Sequence, residues 1–197
     1  MRRTAVPPVL AQPLRTPRLI LRPATADDAH ATFEYRRLEP VSRWLLEIPT
    51  DLQTYAAAFA DPERLATTVV VELGGRTIGD FVLRVEDGWA QAEVAHQARG
   101  TEASLGGVIH PAYTGHGYAA EATGELLRYC FEDLGVRRVV SRAFADNDAV
   151  VRLVERVGMR REAYMVRDGL HRSGQWLDSV RYAMLADEWA LRAGKLG

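Results

Sequence analysis

A short glycine-rich loop between a predicted strand and the longest predicted helix constrains the fold of this chain more than any other feature. The loop reads Thr114-Gly115-His116-Gly117-Tyr118-Ala119. Glycines before a helix leave backbone N–H groups free to converge on one anion, and the helix dipole adds about 0.3–1 kcal/mol in favour of negative charge. The pattern therefore indicates a strand, a phosphate-binding turn and a helix in that order.

The amino-acid sequence of the loop alone leaves two other interpretations open. Residues 115–120 also fit the dinucleotide-binding fingerprint G-x-G-x-x-A. In that fold, however, the first glycine follows its strand directly, whereas residues 110–114 intervene here, and the next predicted strand lacks the acidic residue that binds ribose. The third interpretation is a glycine-rich turn without any ligand.

Charge and composition exclude several other classes of function. The chain has 25 Lys and Arg residues against 26 Asp and Glu, a net charge of -1, so no overall field attracts nucleic acid or an anionic membrane. Lys195 is the only lysine, which argues against Schiff-base and P-loop chemistry, and Cys130 is the only cysteine. The histidines show no His-Glu-x-x-His spacing. The residues predict a metal-free cytoplasmic protein with no nucleic-acid or membrane partner.

The organisation of the chain predicts one domain. No repeat, linker or low-complexity segment divides the 197 residues. We predict a flexible N-terminal arm over residues 1–13, which has no apolar run long enough for a signal sequence, a single domain over residues 14–190 and a C-terminal tail over residues 191–197.

Apolar spacing and turn residues predict an alternation of strands and helices. The predicted strands are 18–22, 67–73, 76–85, 89–95, 103–109, 136–144, 159–166 and 175–185. Helices are predicted from the capping pair Thr25 and Asp28 through Phe33, over residues 52–61 and over residues 147–157. The longest helix follows the glycine loop and ends at Gly135, with its apolar stripe formed by Ala122, Leu126, Cys130 and Leu134. Consecutive hairpins over residues 67–95 predict an antiparallel meander.

Four stretches occur in one order along the chain and carry a family resemblance. They are residues 16–23, reading TPRLILRP; residues 105–122, which contain GHGYAAEA; residues 147–159; and residues 178–182, reading DSVRY. Together they resemble the GNAT superfamily of acyl-CoA-dependent N-acyltransferases, and within it the RimJ/RimL-like branch of ribosomal-protein acetyltransferases, over about residues 14–189. The resemblance implies an α/β (α+β) fold with a mixed, mostly antiparallel sheet of six to seven strands and about four helices. Two central strands, 103–109 and 139–144, would splay apart to admit pantetheine.

The resemblance also implies acetyl-CoA or another acyl-CoA as cosubstrate, without a metal. The backbones of Val108 and Ile109 would pair with the pantetheine, and Asn147 would bind the pantetheine arm or the acyl end. The diphosphate would lie on the loop residues Thr114, Gly115, His116, Gly117, Tyr118 and Ala119. Thr114 departs from the Gln or Arg usual at its position, so one side-chain contact to phosphate is shortened or lost while the loop amides remain.

The resemblance leaves the acid–base groups open. Ser104 stands where many members have a glutamate, and the nearest acid is Glu102, two residues away and therefore on the same face of the strand. Val150 and Val154 stand where other members have a Ser or a Tyr as the acid. We predict Glu102, Ser104 and His110 as catalytic candidates. The simpler interpretation is a solvated strand-end glutamate and a structural histidine.

A site with a weak base favours an amine that loses its proton easily. At pH 7 an α-amine with a pKa near 7.7–8.0 costs about 1 kcal/mol to deprotonate, and a lysine near 10.4 costs about 4.6 kcal/mol. We predict direct acyl transfer to a protein N-terminus or to an amine-bearing small molecule. The alternatives are a catalytically weak acyl-CoA-binding module and, with less support from the residues, an NAD(P)-dependent oxidoreductase. A homodimer through an exposed sheet edge stays open.

Other aromatic and acidic residues have simpler explanations. Most aromatics are core, so we expect only one or two of five candidates to touch the acceptor. These candidates are Trp44, Tyr55, Phe81, Trp89 and Tyr164. Three acids are interpreted as turn, edge or core-bonded carboxylates: Asp80, Glu93 and Asp178.

Overall fold

The computed structural model describes residues 9–193, which form eight strands and seven α-helices. The strands are β1 (Leu14–Arg15), β2 (Ile20–Pro23), β3 (Thr68–Leu73), β4 (Arg76–Glu86), β5 (Glu102–Ile109), β6 (Arg138–Phe144), β7 (Arg160–Leu170) and β8 (Trp176–Leu185). The helices are α1 (Ala29–Arg36), α2 (Glu39–Ser42), α3 (Leu52–Phe59), α4 (Pro62–Thr67), α5 (Tyr118–Arg128), α6 (Asp148–Arg156) and α7 (Ala186–Ala193).

The strands follow the order β1-β2-β3-β4-β5-β6-β8-β7 in one mixed sheet. The implied mixed, mostly antiparallel architecture is confirmed, but the described residues form eight strands rather than six to seven, and seven α-helices rather than about four. The additional elements are short: β1 has two residues and α2 has four. Contacts divide the chain into two compact units, one comprising the residues up to Leu83 with Gly107–Ala122, the other Arg84–Gly106 with the residues from Thr123 on.

In the first unit, β1 to β4 form an antiparallel meander. The centre of β3, residues 69–71, is fully buried, as expected for β-branched residues inside a sheet. Tyr55 and Phe59 of α3 pack against Val70 and two alanines near α1. The predicted helix over residues 52–61 ends where expected, but Asp61 then accepts hydrogen bonds from two following amides and opens α4 at Pro62.

The ends of the chain are only partly described. The predicted arm over residues 1–13 and tail over residues 191–197 extend beyond residues 9–193, and the predicted single domain over 14–190 stays a prediction. Within the described part of the arm, the Val9 amide donates to the Ala66 carbonyl at 2.7 Å, and Leu10 is fully buried.

In the second unit, β8 lies between β6 and β7 and pairs antiparallel with both. β5 and β6 are parallel, and their pairing covers only Glu102–Ser104 with Arg138–Val140. The two strands have eight and seven residues, so most of each strand lies outside the ladder. Such a short ladder is expected for two strands that splay apart. No helix among residues 9–193 has the length and apolarity needed to cross a membrane.

The predicted strand over residues 89–95 is wrong. Residues Ala92–Ala98 form a 3-10 helical segment with no buried residue, and Trp89 is fully exposed. The segment is rich in alanine and has Val94 as its one β-branched residue, so it offers little for a sheet to bury.

The helix after the glycine loop is confirmed, with one difference at its end. Ala122, Leu126 and Cys130 are fully buried, but Leu134 is partly exposed. The last turn, Tyr129–Asp133, is π-helical and holds an extra residue, so Leu134 leaves the apolar stripe.

Candidate functional site

The predicted site residues divide between the two units. Val108, Ile109, His110 and the loop 114–119 belong to the first unit, whereas Glu102, Ser104 and Asn147 belong to the second.

The glycine loop has two residues in a left-handed conformation and a run of amides without protein acceptors. Gly115 and Gly117 have φ of 82° and 81°, a left-handed conformation that residues with a Cβ rarely adopt. The amides of residues 115, 116 and 117 find no acceptor within residues 9–193. Those of Tyr118 and Ala119 lie in the first turn of α5, where helix amides have no partner one turn earlier. Five consecutive N–H groups are therefore available to a ligand.

Side chains hold the loop carbonyls and thereby aim the amides. His116 Nδ1 lies 2.9 Å from the Thr114 carbonyl oxygen and must carry the proton, because a carbonyl can only accept. Arg18 Nη1 donates to the His116 carbonyl oxygen at 3.0 Å. In a trans peptide the C=O and the following N–H point in opposite directions, so these contacts also fix the amides of Gly115 and Gly117.

The hydroxyl and the amide of Thr114 are both bonded within the preceding turn. Its hydroxyl donates to the Pro111 carbonyl at 2.8 Å and its amide donates to the same oxygen at 3.2 Å. The threonine thus closes the turn before the loop, and the hydrogen of its hydroxyl is already used there.

The end of β5 offers backbone groups along one edge. The His110 amide donates to the Ile78 carbonyl of β4 at 2.8 Å, and the Val108 carbonyl lies against Gly79 of the same strand. Successive residues of a strand direct their N–H and C=O to opposite edges, so the backbone groups of Ile109 face away from β4. The pairing of β5 with β6 has already ended at Ser104.

His110 is held by its surroundings. Its Nδ1 accepts from the Ala112 amide at 3.0 Å, and its ring meets those of Tyr35 and Tyr113 edge-on, with centroids 5.9 and 5.6 Å away. The neutral ring then carries its proton on Nε2 and can donate it, but taking up a proton at Nδ1 would cost the Ala112 hydrogen bond. These contacts fit the structural interpretation of this histidine.

In the second unit, Glu102 is compensated by a neighbouring arginine. Its Oε2 lies 3.1 Å from Arg138 Nε, although the Nε–H is not aimed for a hydrogen bond, and Arg138 also pairs with Glu162. Ser104 is half-buried, two residues along the same face of β5. The carboxylate of Glu102 is therefore already engaged.

Asn147 is a buried helix cap. Its Oδ1 accepts from the Val150 amide at 3.4 Å at the start of α6, and its Nδ2 finds no acceptor within residues 9–193. One donor group of Asn147 is thus available to a ligand.

The aromatic candidates separate into core and surface. Tyr55 and Phe81 are buried, whereas Trp89 is fully exposed and Tyr164 is half-exposed. Tyr164 donates to Asp178 at 2.5 Å. This hydrogen bond, with burial and the negative charge of Asp178, raises the pKa of the phenol.

Among the described residues, no group of three His, Cys, Asp or Glu side chains is placed to bind a metal ion.

The sequence and the fold are both similar to those of known proteins. The GNAT acetyltransferase domain model matches residues 18–160. A Bacillus subtilis protein named uncharacterized N-acetyltransferase YnaD is 27% identical over 179 residues, which cover 89% of this chain and 98% of that protein. A solved GNAT-family acetyltransferase from Bacillus anthracis is 26% identical with a TM-score of 0.76, covering 90% and 100% of the two chains.

A further solved structure is that of Mycobacterium smegmatis RimJ in complex with CoA-disulfide. It has a TM-score of 0.71 and 23% identity, and covers 89% of this chain and 87% of that one.

The fold also removes the dinucleotide interpretation of the loop, because β6 is antiparallel to β8, whereas a dinucleotide-binding unit continues in parallel strands.

Proposed function

The chain belongs to the GNAT acetyltransferase family and is an acyl-CoA-dependent N-acetyltransferase, and from that premise we propose that it moves an acetyl or other short acyl group directly to a peptide α-amine or a small-molecule amine. The single observation that carries this proposal is the set of unpaired amides at residues 115–117, in the turn between β5 and α5.

The residues of the loop fit the diphosphate of acyl-CoA. Its amides supply N–H donors to an anion, a Cβ placed on Gly115 would meet nothing within 4 Å, and the loop has no acidic side chain. The edge of β5 at Ile109 would hold the pantetheine. For Asn147 the proposal rests on the family resemblance alone. The nitrogen of the unprotonated amine forms a bond to the thioester carbon of acyl-CoA, and the C–S bond breaks to release the CoA thiolate. The proton that the amine loses ends on that thiolate or in water.

The proton is the difficult part of the reaction for this chain. Glu102 is engaged by Arg138, the Nδ1 of His110 is engaged by the Ala112 amide, and Ser104 is not a base at neutral pH. We keep all three residues as catalytic candidates, and the Nε2–H of His110 can donate a hydrogen bond to a departing sulfur. An amine that is already partly unprotonated relieves the site of this step.

Cys130 does not provide a covalent route. The thiol, in the π-helical turn that follows α5, is fully buried, and burial raises its pKa to about 12. A thiol with that pKa is protonated at neutral pH and is a poor nucleophile. This favours direct transfer over an acyl-enzyme.

A pair of matched peptides tests the choice of acceptor. One peptide carries a free α-amine and an acetylated lysine, the other an acetylated N-terminus and a free lysine, and thiol release from acetyl-CoA is followed. At pH 7 the unprotonated fraction of the α-amine exceeds that of lysine roughly 300-fold, so we expect the first peptide to react much faster, with the ratio narrowing towards pH 9. Equal or faster turnover of the lysine peptide would contradict the proposed acceptor. CoA binding without thiol release for any amine would support the binding-module alternative.

A glycine pair tests the loop. In Gly115→Ala we expect the Kd for CoA to rise about tenfold. Alanine disfavours the positive φ of residue 115, so the backbone would rotate and turn an amide away from the diphosphate. Gly135→Ala is the control: it also has a positive φ, 66°, and open space around its Cβ. Both variants should lose about 1–2 kcal/mol of stability, measured by urea unfolding, but only Gly115→Ala should lose CoA affinity, measured by calorimetry. Equal Kd values would contradict the assignment of the loop.

A further inference from the structure

Arg18, just before β2, contacts the glycine loop and the start of α5 at three points. Its Nη1 donates to the His116 carbonyl oxygen at 3.0 Å, and its Nε and Nη2 both lie 2.6 Å from Glu121 Oε2. Its guanidinium also stacks on the Tyr118 ring, 4.5 Å from the centroid, and that ring is stacked on His116. The sequence motif containing Arg18 had suggested no role for it.

The partner of Arg18 is a carboxylate in the first turn of α5. Burial alone would raise the pKa of Glu121, but hydrogen bonds from Thr16 at 2.5 Å and from Arg18 outweigh it and lower that pKa. The ionised Glu121 lies four residues after Gly117, whose carbonyl accepts its amide at 3.0 Å. An uncompensated negative charge there would oppose the binding of a diphosphate, and Arg18 compensates it.

The guanidinium of Arg18 also lies next to Gly117. A Cβ on Gly117 would lie 3.4 Å from Arg18 Nη2, so the guanidinium rests against the backbone of the loop. With the His116 carbonyl bound to Arg18, the amide of Gly117 points away from the guanidinium, since both belong to one planar peptide.

We propose that Arg18 is a positioning residue for the diphosphate of acyl-CoA: it fixes the direction of the Gly117 amide and cancels the charge of Glu121. The proposal rests on the proposed function, because it requires the diphosphate on this loop. The role of Arg18 can nevertheless be tested separately, because Arg18 lies outside the loop, about 100 residues earlier in the chain.

The exposure of Arg18 separates this role from a purely structural one. Its side chain is 45% exposed, and exposed ion pairs add little to the stability of the fold. We therefore expect Arg18 to affect the affinity for acyl-CoA rather than the stability of the fold. The effect should require the part of the donor that carries the diphosphate.

The test compares Arg18→Gln and Arg18→Lys with the control Arg160→Gln. Arg160 forms ion pairs with Glu188 and Glu162 and is 47% exposed, so it resembles Arg18 in its exposure and in pairing with a carboxylate. The acyl donors are acetyl-CoA and acetyl-pantetheine, which lacks the diphosphate. In Arg18→Gln we expect kcat/KM to fall about tenfold for acetyl-CoA, through KM, and to stay within twofold for acetyl-pantetheine. Arg18→Lys keeps the charge but not the fork, so we expect an intermediate loss. The control should leave both donors unchanged.

Each other outcome overturns the proposal in a distinguishable way. Equal losses for both donors, together with a lower melting temperature than that of Arg160→Gln, would make Arg18 structural. Unchanged kinetics and CoA affinity in Arg18→Gln would overturn the positioning role and leave the proposed function intact. Failure of the unaltered protein to bind CoA would overturn both.

Discussion

Replacing Asp80 with alanine is expected to lower the free energy of unfolding by about 3–5 kcal/mol. Asp80, in β4, is 1% exposed; its carboxylate accepts from the Tyr35 hydroxyl at 2.7 Å and pairs with the guanidinium of Arg36. Alanine would leave that buried cation and that hydroxyl without their partner. Removing one member of a buried pair costs more than the pair contributes, because the remaining charge stays desolvated.

The same carboxylate shapes the electrostatics of the first unit. Burial and then the negative charge of Asp80 raise the pKa of Tyr35 well above its ordinary value, so the phenol stays a donor across the physiological range. Tyr35 in turn contacts the His110 ring. We therefore expect the loss of Asp80 to loosen the support of His110 as well as the packing of α1.

Urea unfolding measures this effect, and an exposed pair provides the control. Arg152 lies 3.9 Å from Asp148 with both side chains more than 70% exposed, so Arg152→Ala should change stability by less than about 0.5 kcal/mol. Asp80→Asn keeps an acceptor for Tyr35 and should be less damaging than alanine. A loss below about 1 kcal/mol in Asp80→Ala would show that water or a rearranged side chain compensates Arg36.

The elements that the sequence predicted well are those with a strong local signal. The long helix after the glycine loop has a regular apolar stripe and a glycine at its end, and α5 follows it until the π-helical turn. The glycine loop was also selected from the sequence, and Gly115 and Gly117 both adopt a positive φ, which a residue with a Cβ rarely does. The core-bonded interpretation was one of three offered for Asp80, and the burial of its carboxylate supports it.

Features that depend on residues far apart in the chain were not predictable from spacing. Arg18 and Glu121 both lie in stretches that carry the family resemblance, but 103 positions separate them, and no periodicity links a strand entry to a distant helix. The pairing of Asp80 with Arg36 spans 44 positions and was missed for the same reason. The predicted strand over 89–95 failed because local alternation alone does not provide a partner strand.

Gly107→Ala is the second large effect that we expect, with a loss of about 1–3 kcal/mol of stability from overpacking. A Cβ at Gly107 would lie 2.4 Å from Cδ1 of Phe81 and 2.8 Å from the Asp80 carbonyl oxygen. Phe81 is itself buried, so its ring has little freedom to move, and the backbone contact cannot be relieved by a rotamer change. The end of β5 must then move away from β4.

That movement links stability to donor binding. Val108 and Ile109 follow Gly107 directly, and the edge of β5 that we assign to pantetheine depends on their register with β4. We therefore expect Gly107→Ala to raise the KM for acetyl-pantetheine as well as for acetyl-CoA, unlike Arg18→Gln, because both donors share the pantetheine.

Gly106→Ala is the matched control on the same strand. Neighbouring residues face opposite sides of a strand, and a Cβ at Gly106 meets nothing within 4 Å. Alanine there should leave the free energy of unfolding unchanged or raise it by about 0.5–1 kcal/mol, since glycine weakens a strand interior. Thermal and urea unfolding of the two variants side by side measures the difference. Equal stabilities would mean that β4 and β5 tolerate the added methyl group, and the close approach at Gly107 would then not be what sets the register of the donor-binding edge.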